Sequence, residues 1–325
     1  MYLKTAIVLT WFFGSYVLLL FAATSLWTVV PLTIMLGLGL AAIGFNIQHD
    51  GGHKAYSSRP WVNRVMAKTM DMVGASSYIW AWKHNTFHHT YPNIDGHDDD
   101  IDLGFLARMS PHQKRLRFHR AQGVYLWFLY GFITLKWHLF DDFYDVIRGR
   151  IGDHKIPRPQ GKALFTFIVG KALFFSMVFL IPMLLHPWWA VLLVYVTAAF
   201  INGVIVSIVF QLAHCVEEAD FPAPATTGEI TGKMETDWAV HQVQTTVDFA
   251  RGNRTLSWLL GGLNFQIEHH LLSKVCHVHY PALSKVVEEV CEEFGIQYSC
   301  HRSFWSALVS HAKWITKMGR PVHAA

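Results

Sequence analysis

Charge is what this sequence has least of. Only 15% of its 325 residues are Asp, Glu, Lys or Arg, where a soluble domain carries about a quarter. Hydrophobic residues make up 52% and aromatic ones 14%. That balance argues against an ordinary soluble enzyme and points to a membrane. The net charge is +4 with no basic run, which speaks against a nucleic-acid partner. It suits a face of Lys and Arg lying against anionic lipid. Cysteine is scarce too. Cys215, Cys276, Cys291 and Cys300 show no CxxC spacing and read as reduced thiols facing a cytoplasmic compartment. An HExxH zinc-peptidase helix is missing, as are the ExxH pairs of carboxylate di-iron bundles. With no repeat, low-complexity tract or detachable domain, the chain reads as one domain, 1–325.

Histidine, by contrast, is abundant, with 20 in the chain, many of them in three clusters. The first is His49-Asp50-Gly51-Gly52-His53, the second His84-Asn85-Thr86-Phe87-His88-His89, and the third Gln266-Ile267-Glu268-His269-His270. Residues four apart share a helix face, so His49 with His53 and His84 with His88 are each expected to aim two imidazoles at one point. Gln266, His269 and His270 share a face in the same way. The His-His pairs widen the last two faces enough to touch two metal ions. Seven imidazoles are too many for one ion. Neutral imidazole suits iron, zinc, copper or nickel.

Apolar runs at about 6–26 and 28–47 are each near the ~20 residues needed to span a bilayer. The first is too long for a signal-peptide core, and its direct continuation into the second makes a transmembrane hairpin. Runs at about 163–185 and 189–212 make another. Both tight connections lack Lys and Arg. The positive-inside rule then puts both termini and all three clusters in the cytoplasm, on segments 48–162 and 213–325. The expected fold is all-α: four transmembrane helices in two hairpins, with a cytoplasmic helical cap holding a di-metal histidine site. Within the cap, 125–139 reads as a helix lying on the bilayer, 141–158 as a charged loop, and 221–231 as a Pro/Gly/Thr loop. The stretch 236–249 looks helical, and 280–295 reads as an amphipathic helix.

HDGGH, HNTFHH and QIEHH resemble the three boxes of the membrane fatty-acid desaturase family. Asn93, Asp98 to Asp102, Leu263-Asn264-Phe265 and Leu271 extend the likeness, which covers nearly the whole chain. Gln266 at the head of box three resembles the front-end branch, whose members insert a double bond between an existing one and the carboxyl end. The resemblance implies an O2-dependent desaturase with two non-haem Fe ions. Its metal ligands would be His49, His53, His84, His88, His89, His269 and His270, with His214 at the end of the fourth span as an eighth. Gln266 stands where many relatives carry a ligating His, and His241 is a further candidate. The family implies a fatty-acyl substrate carried on coenzyme A or a membrane lipid. No His-Pro-Gly-Gly haem motif occurs, so electrons are expected from a separate donor, a ferredoxin or a b-type cytochrome with its reductase. The host membrane would be a bacterial inner membrane or the endoplasmic reticulum.

Asp50 and Asn85 are expected to orient imidazoles. Lys171, near the middle of the third span, either snorkels or faces a polar cavity near the substrate. His97, His112, His119, His138 and His154 read as solvated or interfacial, and His277 and His279 as bystanders. The Asp98-Asp99-Asp100 run reads either as a solvated face or as a group that orients the basic residues around box two. Two other functions fit parts of the pattern. A fatty-acid or alkane hydroxylase would use the same boxes. A histidine-rich metal transporter would need its ligands near the bilayer midplane.

Overall fold

The computed structural model describes residues 1–223 and 236–321. It is mostly helical. Among the described residues, four helices are long and apolar enough to cross a membrane: Tyr2–Phe21, Leu26–Gly52, Gly161–Met183 and Trp188–His214. The expected hairpins are both present, with shifted ends. The second span does not stop at residue 47. A π-turn at Gly44–Gln48 carries it into box one, whose His49–Gly52 is its last helical turn. The fourth span runs unbroken from Trp188 to His214, so its last residue is the histidine singled out above.

Small residues let these helices touch. A Cβ on Gly203 of the fourth span would lie 2.5 Å from the Gly131 carbonyl oxygen, so the span presses backbone against the segment that holds Gly131. That segment departs from expectation. Instead of one helix lying on the bilayer, it is broken into Gln122–Leu129, a 3-10 turn at Tyr130–Phe132, Ile133–Lys136 and a π-turn at Trp137–Asp141. Tyr130 and Leu126 are buried. The close approach to Gly203 pulls this stretch into the bundle, which a reading of its aromatic composition misses.

The supposed loop 141–158 is likewise ordered. It forms a helix, Asp142–Arg148, and a two-residue antiparallel hairpin pairing Arg150–Ile151 with His154–Lys155. The stretch 236–249 is helical only over Trp238–Gln244. Asp248–Phe249 then pairs in parallel with Cys300–His301. The tail helix is Tyr280–Glu293 as expected, and a last helix follows at Phe304–Gly319. The 221–231 loop lies largely outside the described residues.

Candidate metal centre

Box one is wedged between two neighbours that explain its glycines. A Cβ on Gly51 would sit 2.5 Å from the Ala67 backbone nitrogen, and one on Gly52 would sit 2.2 Å from the Trp80 indole. Only glycine permits that approach. Box two follows a short helix, Ser77–Trp80, capped by the Ser76 hydroxyl, which accepts from the Ile79 N–H at 3.3 Å. It then lies on a π-helix, Ala81–His88. Box three forms the buried helix Gln266–Leu271, held at its start by the Ile267 N–H donating to Asp248 at 3.0 Å. The Tyr298 hydroxyl bridges Asp248, at 2.6 Å, and Glu268, at 2.9 Å. Burial and the adjacent Asp248 push the Glu268 carboxyl up to about 9, so it is neutral beside a carboxylate.

The histidines gather into two nests. In the first, nitrogens of His49, His53, His84 and His269 lie within 4.8 Å of one another. In the second, His88, His214 and His270 do the same. His89 stands between them, its ring 4.7 Å from those of His53 and His269 and 4.4 Å from that of His270. The four-residue spacing holds in box two: His84 and His88 stack at 5.2 Å, and their nitrogens lie within 4.8 Å of each other and of an Asp100 oxygen. His84 also belongs to the first nest and His88 to the second, so the pair joins the two.

What stands behind each ring differs. His88 Nδ1 lies 3.1 Å from Asp98, a fully buried carboxylate that also accepts from the Asn93 N–H at 2.9 Å. Asp98 is thus no solvated residue, and Asp99 and Asp100 pair with Lys83 at 2.8 and 3.2 Å. His270 Nδ1 bonds Gln242 at 2.8 Å, and His214 Nδ1 faces the Thr245 carbonyl at 3.3 Å. Asn93 ties this side together. Its φ is +60°, a conformation Asn tolerates better than most residues. Its Nδ2 lies 2.9, 3.0 and 3.2 Å from the carbonyls of His214, Asp220 and Thr245. In the first nest the rings lean on Trp80, which stacks on His84 at 4.6 Å and meets His53 at 5.3 Å and His49 at 5.8 Å. The Tyr280 hydroxyl lies 3.3 Å from His269 Nδ1.

Burial, reinforced by neighbouring imidazoles, holds His53, His84, His89, His269 and His270 well below the usual histidine range. They are neutral, as metal ligation requires. Burial also opposes charge on His88, but Asp98 outweighs it and raises that pKa.

Several expectations are corrected. Asp50 does not orient a box imidazole: it accepts from His277 Nδ1 at 2.9 Å, and His277 in turn meets Lys4 at 2.9 Å. Asn85 donates to the Gly52 carbonyl at 3.0 Å. His241 is buried but joins neither nest. His119 and His138 are buried rather than solvated, while His97 and His112 are exposed. Lys171 does not snorkel; it is buried, and its partner Asp142 lines the polar third cavity. It pairs with Asp142 at 2.7 Å and donates to the Gly74 carbonyl at 2.7 Å. Asp98 carries a signal in the sequence, its place after box two in the family likeness, whereas Gln242, Thr245, Tyr280 and Trp80 read like ordinary core residues.

Among the described residues three cavities adjoin one another, and the second passes the nests. An apolar one of about 160 Å³ lies among the four spans, from Leu19 and Ala23 to His138. The second, about 180 Å³, is walled by His49, His84, His88, Gln48, Gln211 and Gln266 on one side and by Thr134, Asn202 and His138 among others. It shares Leu40, Val73 and His138 with the first. The third, about 210 Å³, is polar, with Lys83, Lys136, Arg148 and Arg150 facing Asp99, Asp141, Asp142 and Asp145. Burial pushes the Asp142 and Asp145 carboxyls up to about 6 and about 7, despite Lys171 and Lys83 beside them.

The donor set fits metal ions. The Nε2 atoms of all eight nest histidines are buried without a protein hydrogen-bond partner, as are Gln266 Oε1 and Gln211 Oε1. Leaving such atoms unpaired is costly, and eight turned toward common points are best explained by bound cations. All the nest donors are imidazole, which favours iron, zinc, copper or nickel over calcium or magnesium.

Comparison with known proteins agrees. The fatty acid desaturase family profile matches residues 25–302. A relative named sn-1 linoleoyl-lipid 6-desaturase, from Arthrospira platensis, is 40% identical over 98% of this chain and 85% of its own. One of the same name from Synechocystis sp. is 39% identical over 98% and 89%. An acyl-lipid (8-3)-desaturase from Physcomitrium patens is 36% identical over 98% of this chain and 66% of its own.

Proposed function

This chain belongs to the fatty acid desaturase family, and from that premise we propose that it is a front-end acyl-lipid desaturase with a histidine-held di-iron centre. The observation that carries the reading is the set of eight buried, unpartnered imidazole nitrogens, three of whose rings, His49, His84 and His88, stand in the wall of a largely apolar cavity. His49, His53, His84 and His269 would hold one ion; His88, His214 and His270 would hold the other, with His89 between them. When bound, the irons would supply the oxidising power, from O2 and two electrons, to remove two hydrogens from adjacent acyl carbons.

The chain's own residues do the rest. The apolar cavity among the spans takes the methyl end of the acyl chain, and the polar cavity takes the lipid headgroup. The carbons between them then lie against the nests. Leu40, Phe45, Phe210 and Leu263 keep that middle cavity dry. Asp98 accepts the proton on His88 Nδ1 and so fixes its Nε2 as the ligating atom. Gln266 and Gln211 each offer a carbonyl oxygen to an ion or to a water bound to one. The 6-desaturase name of two relatives supports a linoleoyl chain as substrate and position 6 as the new double bond. Electrons come from a separate donor, a ferredoxin or a b-type cytochrome with its reductase. The uncharged hairpin connections support a cytoplasmic location for both termini and the metal centre, in a single unit of 1–325.

The relatives are named desaturases, which favours this reading over hydroxylation or metal transport. Gas chromatography of fatty acids from cells expressing the chain and fed linoleate tests it. A triene with its new double bond at position 6 is expected. A hydroxylated product, or no product from membrane-inserted, iron-loaded protein, would overturn it.

A further inference from the structure

A saturated acyl chain needs only apolar walls, yet the wall of this channel carries polar cross-links on the tail side of the nests. His138 lines both the middle cavity and the apolar one. Its Nδ1 lies 3.4 Å from the hydroxyl of Tyr195, which lines the apolar cavity. One helical turn earlier, Thr134 Oγ1 accepts from Asn202 Nδ2 at 2.8 Å, and both line the middle cavity. Two bridges between the broken 122–141 segment and the fourth span thus border the route past the metals. Both rings of the first bridge, His138 and Tyr195, are buried. Burial, aided by the nearby Lys171 charge, pushes the His138 imidazole down to about 3, so it is a neutral ring. With the Tyr195 hydroxyl donating to Nδ1, its proton sits on Nε2, on a ring that borders the channel.

A front-end substrate has a particular demand here. Its existing double bonds lie on the methyl side of the carbons attacked, and so beyond the nests toward the apolar cavity. A cis double bond offers a π face that accepts a weak N–H hydrogen bond, which a methylene cannot. We infer that the His138–Tyr195 pair reads the double bond lying farther from the metals, making this chain prefer dienoyl over monoenoyl substrates. This rests on the front-end reading above. His138 and Tyr195 are positioning residues, remote from the reacting carbons. In chemical terms the inferred contact is a neutral imidazole N–H against an alkene, and no bond is made or broken.

The test feeds equal amounts of linoleate and oleate, which share the nearer double bond and differ in the farther one. The linoleoyl-to-oleoyl conversion ratio is measured for the wild type, His138→Leu and Tyr195→Phe. We expect the wild type to favour linoleoyl and the ratio to fall roughly five-fold in each variant. A ratio unchanged in both overturns the inference, as does a wild type that converts both acids equally well. Thermal unfolding of the purified proteins with each free acid added gives a readout that needs no turnover. A larger shift with linoleic than with oleic acid, lost in both variants, supports the inference; the same difference kept in the variants overturns it. Failure of the wild type to desaturate any fed acid would instead count against the proposed function, and the unfolding shifts would still decide the role of the pair.

Discussion

The two imidazole nests use the same donor atoms but are braced by different means. Behind the second stand polar groups: Asp98 at His88, Gln242 at His270 and the Thr245 carbonyl at His214. Behind the first stands mainly the Trp80 indole, stacked on His84 and edge-on to His49 and His53. One nest is therefore oriented by hydrogen bonds and carries a buried negative charge; the other is oriented by shape. The contrast in His88, raised while the first-nest rings His53, His84 and His269 are depressed, has the same origin. Two ions held this way would be inequivalent, the one at His88 being the richer in electron density.

Substitutions can break or sharpen that contrast. The largest effect is expected from His88→Ala, which removes a ligand outright. Product should fall by more than about 100-fold, beyond what loss of an orienting partner costs, and bound iron should fall with it. Full activity in that protein would sink the second nest. Asp98→Asn keeps the shape and removes the charge. We expect a loss of about 10- to 100-fold in iron affinity or turnover, while Asp102→Asn, on an exposed residue, should cost neither; equal iron content and turnover in both proteins would remove Asp98 from the account.

Gln266→Ala removes the unpartnered amide oxygen from the cavity wall beside the nests. Losing one polar contact is worth about tenfold in turnover, with the fold and most of the iron retained. Near wild-type turnover would leave Gln266 only a packing role. Gly52→Ala tests bracing by shape alone, because its new methyl would strike the Trp80 indole. Overpacking of this kind costs about 1–3 kcal/mol, seen as a lower unfolding temperature and earlier loss of the first-nest ion. A variant as stable as the wild type that holds iron equally well would show that Trp80 braces nothing. Its effect on turnover should be the smallest of the four.

The histidine boxes and the four spans were legible because each repeats a local rule: imidazoles three to five residues apart, and apolar runs of bilayer length. The partition of the boxes was not. His84 and His88 form one pair by spacing and do meet, yet each also belongs to a different nest, and nothing local shows which histidine of box three completes which. Asp98 looked like one of a solvated acidic run, because nothing local marks the buried turn through Asn93 that brings it to His88. His138 was read as interfacial for a similar reason. Its ring is covered by Phe174 and Tyr195, on the third and fourth spans and far from it in sequence. Asp50 failed in the other direction. Standing next to His49, it looked like an orienting group, but its partner His277 lies in the C-terminal part of the chain.

Each nest is completed by a residue of box three, His269 in one and His270 in the other. Synthesis runs at about 5–20 residues per second, so His49 and His53 leave the ribosome roughly ten seconds or more before the imidazoles that complete their sites. Both hairpins are inserted while the nests are still open. Metal loading is therefore complete only late in synthesis, and the half-built first nest, with three of its four imidazoles, would hold copper more tightly than iron. A chain cut short anywhere before residue 269 would leave both sites incomplete, however well its four spans had entered the membrane.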